Sequence, residues 1–236
     1  MLSLSCPKST ATSSYKLATN SYKIYTYPKV PKTVSLNMSG FEILESDSFA
    51  ITSSVRQAAS LASKGKNVLL YLTDEDNPNS IEGYYCTDFW CYPMFKSISE
   101  SMNKPLPVGT LGLSIDTKSP ALKDFPSESF SEPNWYEIVM ASRSTILNNT
   151  GISPIVATID NASRSHLLGM IYEIKIEGTD GNILVCTSDL PKLISFNKNE
   201  AYALNNSLLT YLKDQNAAHC PATISLQNYY KLFGLS

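Results

Sequence analysis

Six consecutive residues, Asn67, Val68, Leu69, Leu70, Tyr71 and Leu72, constrain this chain more than any other feature. A run this apolar has no polar side. Because side chains alternate along a strand, such a run needs cover on both faces of a sheet, as central parallel strands do. The residues before it have helical spacing. Ile51, Val55, Ala58, Leu61 and Ala62 share one side of a helix predicted over 49–63, with Ser46, Asp47 and Ser48 as caps and Gly65 past its end. Helix, glycine turn and buried strand make an α/β unit. The expected fold is therefore α/β, with a mainly parallel sheet flanked by helices.

At 236 residues and 43% hydrophobic content, the chain suits one sizeable domain. Residues 1–20 are polar, rich in Ser and Thr, and read as a flexible lead-in. The single domain is expected over 21–236. Strands are predicted over 22–27, 110–115, 154–159, 166–176 and 182–187, the last two joined by a turn between Gly178 and Gly181. Helices are predicted over 135–147, 200–212 and 227–233. An irregular insertion, with Pro78 and Pro93, spans about 74–131.

Composition excludes several functions. Nineteen basic against twenty-one acidic residues give a net charge of -2, so no surplus cation is available to grip a phosphate backbone. No apolar run approaches the roughly 20 residues that cross a bilayer, and the first residues lack the charged head and apolar stretch of a signal peptide. Five cysteines at irregular spacing form no disulfide framework or zinc motif. His166 and His219 have no ligand-spaced neighbours. The expectation is no metal, no cofactor, no nucleic acid and no membrane.

Two polar–aromatic segments remain. Asp88, Phe89 and Trp90, followed by Tyr92 and Phe95, could stack on a sugar while Asp88 accepts hydroxyl hydrogen bonds. Trp135 raises the same question. The competing account for both is that the rings pack a loop onto the sheet. Asp160, Asn161 and Arg164 leave a strand end, where α/β sheets often bind ligands. If these segments converge, Asp88, Trp90, Asp160, Asn161 and Arg164 would line a shallow sugar pocket; otherwise Arg164 pairs with Asp160 or Asp88 and pins the insertion.

The run from Thr87 to Lys96, with Gly109 to Leu113, Ser119 to Leu122, Phe125-Pro126, Asn134-Trp135 and Ile159 to Asn161, resembles the C-terminal part of long family-2 glycoside hydrolases of gut Bacteroidetes. Those proteins are β-galactosidase-like or sugar-binding-domain hydrolases, and the likeness runs from about Tyr22 to Phe233. It implies a flavodoxin-like, class I glutamine-amidotransferase-like domain appended to a catalytic barrel. Such hosts are often periplasmic or secreted. The chain departs from the amidotransferase pattern where it matters for chemistry: Thr73, Asp74, Glu75 and Asp76 stand where the nucleophilic Cys would follow the strand, and no His-x-Glu pair appears. The family also often carries a His before Pro120 and an aromatic-rich segment after Trp135; Ser119 and Tyr136-Glu137 stand there.

The resemblance implies a non-catalytic accessory domain of carbohydrate-degrading enzymes, supporting assembly or contacting glycans through Asp88, Trp90, Trp135, Asp160, Asn161 and Arg164. Its expected partners are a glycan, a catalytic glycoside hydrolase chain or a second copy of itself. The alternative is a standalone glycoside or ester hydrolase with Asp88, Asp160 or Glu137 as acid–base groups. Its mark would be two carboxylates facing one cleft roughly 5 to 10 Å apart.

Overall fold

The computed structural model describes residues 2–3, 21–31, 44–72, 77–83, 97, 100–101, 103, 110–161, 164–214 and 221–235. In chain order the strands are β1 (Leu2–Ser3), β2 (Ser21–Tyr22), β3 (Leu44–Glu45), β4 (Phe49–Thr52), β5 (Asn67–Tyr71), β6 (Ser80–Glu82), β7 (Gly112–Ile115), β8 (Arg143–Ile146), β9 (Pro154–Ile159), β10 (Leu167–Ile176), β11 (Asn182–Cys186) and β12 (Ala222–Ile224). The helices are α1 (Val55–Ser63), α2 (Tyr136–Met140), α3 (Leu190–Ser195), α4 (Asn199–Lys213) and α5 (Leu226–Leu232). β1 and β2 pair with each other. The other strands form one sheet of ten.

The class is α/β, as expected, but the sheet is mixed and largely antiparallel. β4, β5 and β11 run parallel to one another, and β12 runs parallel to β10. The remaining pairings are antiparallel. The reason is connection length. A parallel neighbour needs a crossover of about a dozen residues or more, whereas short turns return the chain antiparallel. β10 is entered by a short turn after β9 and left by another before β11. It is the hub: β8 and β11 lie along one edge, β9 and β12 along the other.

The central run behaves as its sequence demands. Leu69 and Leu70 are both fully buried, and they belong to cores on opposite faces. One core packs the sheet against α3, α4 and the 3-10 turn at Pro120–Leu122. The other packs it against α1 and α5.

Four segments differ from the sequence reading. The predicted helix over 49–63 splits into β4 and α1, capped by the Ser54 hydroxyl, which accepts from the Gln57 N–H. Phe49, Ala50 and Ile51 extend because they pair with Asn67, Val68 and Leu69. The helix predicted over 135–147 stops at Met140, and Arg143–Ile146 becomes β8 between β6 and β10. The predicted strand over 22–27 is regular only at Ser21–Tyr22. The insertion is not an appendage, since it supplies β6 and β7 to the sheet. α3 has a local signal that the spacing argument passed over: Asp189 accepts from the Lys192 N–H as its cap, and Pro191 lies in its first turn.

Candidate functional site

The turn after β9 is built around one carboxylate. Asp160 Oδ1 accepts from its neighbour's N–H at Asn161 (2.8 Å) and from Arg164 Nε (2.8 Å), with Arg164 Nη2 at 2.6 Å. Oδ2 accepts from the His166 N–H at 3.1 Å. Asn161 Oδ1 in turn accepts from the Arg164 N–H at 3.1 Å. The Asp160 and Arg164 side chains are 1% and 6% exposed. A buried carboxylate is stable only when its charge and lone pairs are met, and here they are. His166 Nδ1 lies 3.0 Å from Oδ2 and makes no hydrogen bond. With Nδ1 sealed inside, the exposed part of the ring faces outward.

Outside this turn lies a groove of about 560 Å³, lined by Ser114, Asp116, Ala157, Ile159, Ser165, His166 and Leu167 among others. Its floor follows from the pleat. Leu113, Ile115 and Val156 point into the core on the α4 side, so Ser114, Ala157 and Ile159 point to the opposite face. Leu167 sits directly across from Ile159. Both are exposed, at 43% and 44%.

The structure brings together Asp160, Asn161 and Arg164 but uses them to hold the turn. Trp135 is 0% exposed; its Nε1–H donates to Ser127 Oγ at 2.8 Å, and its ring meets Phe125 edge-on at 4.9 Å. That ring packs the insertion onto the core and offers no face for stacking. Asp88 and Trp90 lie outside the described residues. Glu137 lies on α2 and pairs with Lys198 at 2.5 Å. Asp160 and Asp116 both line the groove, yet Asp160 turns its oxygens into its own loop, leaving Asp116 as the exposed carboxylate there. Cys186 is buried, and loss of solvent pushes its thiol up to about 12, so it stays protonated and is a poor nucleophile. Among the described residues, no group of His, Cys, Asp and Glu side chains could hold a metal ion.

Sequence reasoning missed Asp116 and Ser114 as groove residues. Nothing local marks them, because the pairing of β7 and the residue after it with β9 brings them beside Ala157 and Ile155, about forty positions away.

Residues 50–234 match a family described as "Domain of unknown function (DUF8487)", and the chain belongs to that family. The match begins in β4 and ends just beyond α5, so it takes in the groove and the large sheet except its edge strand β3. No curated protein matches the chain.

Proposed function

We propose that this DUF8487 domain is a non-catalytic accessory module of carbohydrate-degrading glycoside hydrolases, supporting assembly or glycan contact. The observation that carries the non-catalytic part is the state of Asp160. A general acid or nucleophile needs a carboxylate that reaches substrate, and this one is buried and held by Arg164, Asn161 and the His166 backbone. Glu137 is paired with Lys198, and the Cys186 thiol is buried. The link to glycoside hydrolases rests on the ordered motifs from Thr87 to Asn161. We also propose a distant class I amidotransferase-like relation, supported by the parallel trio β4, β5 and β11 between α1 and α4.

The test is turnover. Purified protein is expected to release no product from a panel of nitrophenyl glycosides and nitrophenyl esters, or from glutamine. Activity that survives repurification and disappears on mutating one carboxylate overturns the reading and promotes the hydrolase.

A further inference from the structure

The core on the α1–α5 side draws side chains from β4, β5, β10 and β11 but none from β7 or β9. At that end of the sheet the face is a groove with an aliphatic floor, Ile159 beside Leu167, and a polar rim of Ser114, Asp116, Ser165 and His166. Its electrostatics select against anions. The Arg164 guanidinium, next in sequence to the lining residue Ser165, pairs with Asp160. Asp116 is exposed, and among the described residues its carboxylate has no cationic partner; the side chain's described bond is Oδ1 accepting the Lys118 N–H at 3.0 Å. An uncompensated carboxylate repels phosphates and carboxylates, while it accepts well from hydroxyl groups. A ligand for such a surface is neutral, rich in hydroxyl donors and apolar on one face. The volume, about 560 Å³, falls within the roughly 300–1,000 Å³ of small-molecule sites.

We infer that this groove is a binding site for a neutral pyranose or short oligosaccharide. The sugar lays its C–H face on Ile159 and Leu167, and its hydroxyls donate to Asp116 and exchange hydrogen bonds with Ser114 and the outward edge of His166. The inference deepens the accessory-module reading and rests on it for the choice of sugars. It moves the site away from Trp135 to an aliphatic floor, where weak, millimolar affinity is expected because none of the described lining residues is a Phe, Tyr or Trp.

Galactose, xylose and lactose are titrated at millimolar concentration against isotope-labelled protein, with amide shifts read by NMR. Saturable shifts confined to Ser114, Ile159, Leu167 and their neighbours are expected. Asp116→Ala, an exposed change, should weaken binding about tenfold, as loss of one charge-assisted hydrogen bond does, with an unchanged melting temperature. Ile159→Ser should weaken it by removing the floor, and the wild-type shift map is informative even if that variant is unstable. Absence of saturable shifts, shifts centred elsewhere, or unaltered affinity in both variants overturns the site. Those results leave the non-catalytic reading standing if the glycosides remain uncleaved, whereas turnover of the glycosides removes that reading whatever the groove binds.

Discussion

Arg164 approaches Asp160 from one side: Nε at 2.8 Å and Nη2 at 2.6 Å both address Oδ1, leaving Oδ2 toward His166. The two residues are four apart on the turn that joins β9 to β10, and both side chains are buried. Such a pair adds little when formed, because taking two charges out of water offsets their attraction. Breaking it is costly, because one charge is then stranded. Arg164→Ala should therefore lose about 3–5 kcal/mol in chemical denaturation. Adding Asp160→Asn to that variant should recover part of the loss by removing the stranded carboxylate. A loss below about 1 kcal/mol would class the pair with exposed bridges and show that the turn does not depend on it.

The doubly covered strand makes a second prediction. Leu69 packs against the α4 side and Leu70 against the α1–α5 side, each fully buried. Leu69→Ala and Leu70→Ala should each cost about 2–5 kcal/mol by lost transfer energy plus a cavity. Because they open cavities on opposite faces, the two losses should add to within about 0.5 kcal/mol. Strong coupling between them, or a loss below 1 kcal/mol for either, would mean that one side of the sheet is poorly covered.

These outcomes separate what the sequence held locally from what it did not. The six-residue run forced burial on both faces because no rotation of a strand hides only half of it. The fold class was legible from that unit, but strand direction depends on connections, and the short turns around β10 reversed its neighbours on both sides. Phe49 to Ile51 had spacing compatible with a helix, and pairing with Asn67 to Leu69 decided for a strand. At the site, Asp160 and Arg164 were legible as a pair because they are four residues apart. Trp135 was ambiguous, since an indole has the same apolar surface whether it stacks on a ligand or, as here, packs against Phe125. Asp116 was invisible because only tertiary register places it by His166.

Alkaline stability follows from the buried acids. Burial raises the Cys186 thiol from 9.0 to about 12 and the Tyr27 phenol from 10.0 to about 12, and Tyr71 and Tyr229 move the same way. Each folded group holds its proton more tightly than its unfolded counterpart. The resulting stability is complete below the unfolded value and is lost as pH rises toward the folded one. Urea midpoints should therefore begin to fall near pH 9, where the unfolded thiol ionises, and steepen from about 10 as the tyrosines join. Cys186→Ala should delay the onset by about one pH unit. An onset at pH 9 that survives in that variant would assign it to another group.

The turn between β10 and β11 uses two glycines for different reasons. Gly178 has φ +77°, a left-handed backbone, and a Cβ there would meet nothing within 4 Å. Gly181 instead lies against the end of α1: its N–H donates to the Ala62 carbonyl at 3.2 Å, and a Cβ would come within 2.1 Å of the Lys66 carbonyl oxygen. Gly178→Ala should cost about 1–2 kcal/mol from handedness alone, and Gly178→Asn less, because asparagine tolerates that region. Gly181→Ala meets backbone that cannot rotate away, so the hairpin must lift from α1, at about 3 kcal/mol, the upper end of overpacking costs. Gly181→Asn should be at least as damaging. Denaturation of the four variants checks the order, with asparagine as the discriminator: benign at 178, harmful at 181. Equal losses for asparagine at both positions would mean that the turn needs glycine for looseness alone, and not for a handedness at one end and a close approach at the other.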